Sequence, residues 1–209
     1  MKKQTLLASL MLIASTSFAQ TQTLPKPNMQ RQTLSVMETF QQRKSVRAYS
    51  PQQLSEQDLS DLLWAASGVN RENGNLTAPT AMNRQEIRLY VFTDKGVSLY
   101  DPKTHTLSHV VDGDHRDIVA GPQDFAKTAP TVLLMVADME KFGSTNEHAQ
   151  AMVAVDTGIM SENINIFCSA AGLCTVTRAM MNQDAIRSLL NFTDKQIPII
   201  NNPVGYPQK

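Results

Sequence analysis

Three short stretches carry the side chains best suited to chemistry. Arg43-Lys44-Ser45-Val46-Arg47 places three cations and a hydroxyl within five residues, where a helix is expected to end. If the chain leaves that helix extended, Arg43, Ser45 and Arg47 face one side, because side chains alternate along extended backbone. Two guanidinium forks flanking a hydroxyl suit a phosphate dianion, which accepts paired charge-assisted hydrogen bonds. The competing reading of the same residues is a solvated basic face, favoured by the dipole at a helix C-terminus. Pro79-Thr80-Ala81-Met82-Asn83-Arg84-Gln85 closes a long polar loop just before a strand. Its small and amide-bearing side chains can hydrogen-bond a flat heterocycle displaying carbonyls and ring nitrogens, although an ordinary turn has the same composition. The third stretch, Gly172-Leu173-Cys174-Thr175-Val176-Thr177-Arg178, lies where a long helix gives way to a strand.

The elements that must position these stretches are legible from periodicity. Thr33 to Arg43 reads as a helix with Leu34, Met37 and Phe40 on one face. Ser55 and Asp58 resemble a capping box opening a second helix, whose stripe of Leu59, Leu62, Leu63 and Ala66 ends near Gly68. Residues 70–84 form the long polar loop, and such loops in compact domains are usually functional. Ile87 to Thr93, Val97 to Tyr100 and Leu107 to Val111 read as a meander turning at Asp101-Pro102, and Thr131 to Ala137 as a buried strand. Glu147 to Ala171 has the length of one long helix, apolar on more than one face and stopped by Gly172, which suits a core position or an oligomer interface. Leu173 to Thr177 is a short strand, and Asn182 caps a helix over Gln183 to Leu190. Pro198 and Pro203 confine the last run, Ile197 to Val204, to a sheet edge or a crossing segment. Helices and hairpins in mixed order give an α+β fold class.

Composition narrows the function. The 209 residues carry 19 basic and 19 acidic side chains, a balance that argues against a general nucleic-acid binder. Two cysteines are too few for a disulfide framework. Met1-Lys2-Lys3, the apolar run Leu6 to Ala14 and Ser17-Phe18-Ala19 form the three parts of a signal peptide, so residues 1–19 are expected to be removed after Ala19. The apolar run is too short to span a membrane, and there is no twin arginine and no nearby cysteine for a lipid. The expected product is an exported protein, periplasmic or secreted, of 190 residues and net charge −2, since two lysines and no acids are lost. Residues 20–32, polar and holding two prolines, read as a linker before a domain at 33–209.

Taken in order, the three stretches resemble the FMN-dependent nitroreductase family. Its Arg-(Arg/Lys)-Ser-x-Arg opening is matched by Arg43 to Arg47, and its Pro-(Ser/Thr)-x-x-Asn-x-Gln loop by Pro79, Thr80, Asn83 and Gln85. A helix ending in Gly172-Leu173 and a closing Gly205-Tyr206-Pro207 complete the pattern. The Leu99 to Pro102 turn and Gly113-Asp114-His115-Arg116 look like the family's peptide-oxidase-like branch. The resemblance runs from about Thr33 to Pro207. It implies a three-layer α/β/α sandwich with a mixed, mostly antiparallel sheet, and an intertwined homodimer with two FMN molecules at the interface. Arg43, Lys44, Ser45 and Arg47 would hold the phosphate, ribityl chain and pyrimidine edge. Asn83 and Gln85 would hydrogen-bond the flavin ring, Pro79 and Thr80 would approach it from the partner subunit, and Thr175, Val176 and Arg178 would lie beside its reactive edge. The implied activity is ping-pong hydride transfer from a reduced donor such as NAD(P)H to a small nitroaromatic or quinone-like acceptor. The cofactor carries that chemistry, so no catalytic side chain and no metal are nominated.

The chain departs from the family pattern in three places. Glu86 stands where many members have proline and a bulky aromatic, Asn201-Asn202 interrupts a usually apolar stretch, and the basic tail beyond Gly-Tyr-Pro is reduced to Lys209. The short tail keeps a rival open: a non-enzymatic exported module that retains the fold to bind flavin or another ligand, or for structure. Export also separates the protein from the cytoplasmic nicotinamide pool, so its physiological donor need not be NAD(P)H. His105, His109, Asp112, Asp114 and His115 cluster in sequence but fall around hairpin turns, which argues against a metal site. Cys168 and Cys174 are expected to be buried thiols, with a disulfide as the alternative in an oxidising compartment.

Overall fold

The computed structural model describes residues 21–208; the expected signal sequence and Lys209 lie outside them. In chain order the elements are β1 (Thr21–Thr23), α1 (Val36–Gln42), α2 (Glu56–Ser67), β2 (Ile87–Phe92), β3 (Gly96–Asp101), β4 (Thr106–Asp112), α3 (Arg116–Ala120), α4 (Asp124–Lys127), β5 (Thr131–Asp138), α5 (Met139–Phe142), α6 (Glu147–Ala171), β6 (Cys174–Thr175), α7 (Gln183–Leu189) and β7 (Gln196–Gly205). Seven strands form one sheet in the order β1-β4-β3-β2-β5-β7-β6. Every strand pair among the described residues is antiparallel, so the sheet is not mixed.

Strand β5 explains the layering. All eight of its residues are buried, which is why Thr131 to Ala137 reads as a continuous apolar run rather than an alternating one. Leu133, Met135 and Ala137 face a core shared with Leu62 and Leu63 of α2 and with Met160 and Ile164 of α6. Val132, Leu134 and Val136 face the opposite core, with Val119 of α3 and Ile186 of α7. Helices therefore cover both faces, giving the three-layer α+β sandwich that the family resemblance implies.

The structure corrects the sequence reading at three elements. The segment read as a linker is built into the fold: Thr21 to Thr23 pair with Thr106 to Ser108, and Leu24 is buried beside them. Arg31 reaches back to Asp58 and Asp61 at 2.5 and 3.0 Å, anchoring the rest of the segment to α2. Strand β7 is interior rather than at an edge. The sheet tolerates its prolines because Pro198 sits at the register shift beside Val136, while two-residue β6 pairs only with Val204 and Gly205. Helix α1 starts later than expected, at Val36, because Ser35 and Glu38 form a reciprocal capping box. Its apolar residues do not enter the core: Val36, Met37 and Phe40 are 70%, 76% and 59% exposed.

Candidate cofactor site

The basic stretch leaves α1 as an extended strap fixed from both sides. The Val46 amide donates to the Thr175 carbonyl at 2.9 Å, tying the strap to β6, and the Tyr49 hydroxyl donates to the Val46 carbonyl at 2.9 Å. Tyr49 bridges to Pro207, and the Tyr206 hydroxyl bonds Asp58 on α2. Gly205 is required here, because a Cβ would come within 2.8 Å of the Pro130 ring. Thus the Gly-Tyr-Pro motif pins the strap. Arg43, Lys44, Ser45 and Arg47 are all exposed, and among the described residues the three cations form no salt bridge. Arg47 lies 5.7 Å from the Phe125 ring centroid.

Two clefts flank the strap. One of about 270 Å³ is lined by Lys44, Val46, Asn165, Ser169, Cys174 and Thr175. The other, of about 280 Å³, is lined by Arg47, Gln123, Phe125 and Val176 to Met180. The first and third sequence stretches therefore meet in one chain.

Behind them lies a buried polar network. Asn202, fully buried, donates to Asn165, Thr175 and Thr177 at 3.1–3.4 Å and accepts from Ser161 at 2.8 Å. Arg178 is 6% exposed, and its guanidinium spends every donor on the protein: Gln123, Asn201 and the carbonyls of Val119, Ala120 and Met180. Burial pulls its pKa down. Arg178 therefore fixes the backbone beside the second cleft and keeps no N–H for a ligand. Thr175 and Val176 are also buried, Thr175 at the first cleft and Val176 at the second.

The second stretch lies elsewhere. Its Ala81 amide donates to Asp156 at 2.8 Å, and Asp156 precedes Asn165 by nine residues on α6, about 14 Å of helix rise. Met82, Asn83 and Gln85 take left-handed backbone, with φ of 52°, 53° and 51°, each costing roughly 1–2 kcal/mol for a residue with a Cβ. Side chains hold this clasp: Thr80 Oγ1 accepts from the Gln85 amide, Gln85 Nε2 donates to Gly74 and Asn83, and Asn83 Nδ2 donates to Asn75. Pro79 and Asn83 are exposed, while Thr80 and Gln85 are half-buried. The left-handed turn persists because these bonds over-determine it, and backbone outliers of this kind cluster at ligand clamps and active sites.

The sequence reading did not nominate Ser161, Asn165, Gln123, Phe125 or Asp156. A signal existed for two of them: Ser161 and Asn165 stand i, i+4 within an apolar helix and so share a face. The histidines do not converge on one point, and among the described residues no group of three ligands could hold a metal ion. His105 bonds Ser60 and Tyr100 at 2.7 and 2.8 Å, while His109 and His115 contact the carboxylate and carbonyl of Asp112. Cys168 and Cys174 are both buried and not bonded to each other.

The model of the Nitroreductase family matches residues 40–206. A protein of Methanocaldococcus jannaschii assigned as a nitroreductase is 30% identical over 173 residues, covering 78% of this chain and 86% of its own. The crystal structure of an assigned nitroreductase from Ralstonia eutropha JMP134 superposes with a TM-score of 0.84 at 32% identity, covering 90% of each chain. An assigned NADH dehydrogenase/NAD(P)H nitroreductase from Parabacteroides distasonis shares the fold, with a TM-score of 0.61 at 21% identity over 83% of this chain and 88% of its own.

Proposed function

The chain belongs to the nitroreductase family and is an oxidoreductase, and from that premise we infer that it is an exported, FMN-dependent homodimer. The observation that carries the cofactor reading is the strap: exposed Arg43, Lys44 and Arg47, without a salt bridge among the described residues, on a segment tied between two clefts by the Val46–Thr175 bond. Lys44 at one cleft and Arg47 at the other suit a phosphate dianion, and the amide and hydroxyl groups of Asn165 and Ser169 suit a polyol chain.

Neither cleft exceeds about 280 Å³, whereas pockets that enclose ligands of this size run to roughly 300–1,000 Å³. The missing wall is supplied by a second copy. Val36, Met37 and Phe40 of α1 and Val155 of α6 form large exposed apolar side chains suited to that contact, and the clasp of the partner brings Pro79, Thr80, Asn83 and Gln85 to the strap.

When bound, the flavin supplies two-electron chemistry that needs no protein nucleophile. Arg43 and Lys44 stabilise negative charge at the pyrimidine edge. The Thr175 to Arg178 backbone, fixed by the buried arginine, forms a wall beside the reactive edge. A reduced donor and then a small acceptor, nitroaromatic or quinone-like, occupy the same place in turn; NAD(P)H is the donor to try first. The signal-peptide pattern at 1–19 supports export, which requires FMN to be acquired after translocation.

The test is direct. Protein purified with added FMN should be yellow and dimeric, bleach with NADPH or dithionite, and recolour with an acceptor. A preparation that stays colourless and monomeric at saturating FMN sinks the reading.

A further inference from the structure

Glu86 follows the clasp directly, and it is fully buried. It is also the side chain whose two carboxylate oxygens find no hydrogen-bond partner among the described residues. An ionised carboxylate stripped of water and donors is costly, so a buried group in this position takes up a proton instead. Two ionisable groups face it. Asp156 approaches from α6 and is itself 5% exposed; Lys141 approaches from α5 but gives its ammonium to the Gln85 carbonyl. Lys141 is crowded in turn by Lys103 and Arg88, with Asp138 opposing them. Burial foremost, and then Asp156, raises the Glu86 pKa to about 7, and its own backbone amide together with Lys141 offsets only part of this.

Asp156 is already committed on one side, accepting the amide of Ala81 at the start of the left-handed turn. A neutral carboxyl at Glu86 turns one of its unpartnered oxygens into a donor that Asp156 can accept. We propose that Glu86 is a positioning residue: its protonated carboxyl donates to Asp156, and the shared proton holds Asp156 under the Thr80–Gln85 clasp in the shape that presents the clasp to the flavin. The part concerning flavin rests on the function proposed above; the shared proton does not. Loss of the proton sets two carboxylates against each other, displaces Asp156 and leaves the Ala81 amide without its acceptor. Because the folded chain holds the proton more tightly than the unfolded one, the stabilising contribution is whole below about pH 4.5 and is lost as pH rises through about 7.

Three measurements on the full chain, in wild type, Glu86→Gln and Asp156→Asn, decide it. Infrared spectroscopy should show a protonated carboxyl band at pH 6 that fades by pH 8.5, is absent in E86Q and is shifted in D156N. Hydrogen exchange at the Ala81 amide, compared between proteins at the same pH, should be at least tenfold faster in wild type than in E86Q at pH 8.5 and equal at pH 6. FMN affinity of wild type should fall about tenfold over that range, while E86Q stays within about threefold. An absent band, or Ala81 exchange that matches E86Q at both pH values, overturns the proposal. FMN affinity with the same pH dependence in both proteins overturns its flavin half. If wild type binds no FMN at any pH, the functional reading fails, and the band together with Ala81 exchange still decides the shared proton. If E86Q does not fold, the wild-type band and its shift in D156N decide it alone.

Discussion

Arg47 and Arg178 both lie within 6 Å of the Phe125 ring, at 5.7 and 5.5 Å, yet they do opposite work. Arg47 belongs to an exposed strap whose cations form no salt bridge among the described residues. Arg178 is buried, and all its donors are spent on carbonyls and amides of its own chain. A guanidinium left unpaired at a cleft is available to a ligand, whereas one sealed inside a fold is structure. The lesson is that residue type and nearness to a site do not assign a role; the fate of each N–H does.

The largest effect should come from breaking the buried partner. Arg178→Met leaves several carbonyls without donors and is expected to cost about 3–5 kcal/mol. At roughly 2–4 °C per kcal/mol, Tm should drop by roughly 6–20 °C, with or without FMN. A Tm unchanged in the apoprotein and lowered only with FMN would return Arg178 to the cofactor site. The strap should show the reverse. Arg43→Ala with Arg47→Ala removes two charge-assisted contacts of about 1.5–3 kcal/mol each, so FMN affinity should weaken by about 100-fold or more. The Tm of its apoprotein should shift by no more than about 2 °C, as expected for exposed sites. Retained FMN binding would count against the phosphate assignment.

A smaller effect tests where the strap comes from. Phe40→Asp on the exposed face of α1 should weaken dimerisation by roughly 10- to 100-fold in sedimentation velocity, and FMN affinity should fall with it. A fully dimeric variant would remove α1 from the interface. The smallest effect should be Ser35→Ala, which deletes the α1 cap at a cost of about 1 kcal/mol, or roughly 3 °C. Its effect on FMN affinity shows whether α1 merely precedes the strap or aims it.

The long helix, the meander and the buried strand were legible because each has a strong local signature: 25 residues stopped by Gly172, turn residues between short apolar runs, and an unbroken apolar stretch. Strand β7 misled because a proline's missing N–H rules out a partner only where the ladder needs that N–H. The partner β6 is too short to need it along most of β7. Residues 20–32 misled because polar composition looks the same in a linker and in an edge strand. Of the site, the strap was legible as chemistry but not as unpaired, and Arg178 was legible as nearby but not as sealed. The departures at Glu86 and Asn201-Asn202 were visible in sequence; that each marks a buried polar cluster depends on contacts across 23 to 70 positions, which spacing alone does not encode.

Strand β1 has a bearing on how the protein must be handled. It occupies the outer margin of the sheet, where β4 would otherwise present open backbone groups along Thr106 to Ser108. Uncovered strand margins recruit other chains. A version trimmed to begin at Leu24 should therefore show concentration-dependent light scattering that the version beginning at Gln20 lacks, so the few residues after the expected processing point act as a guard against clumping.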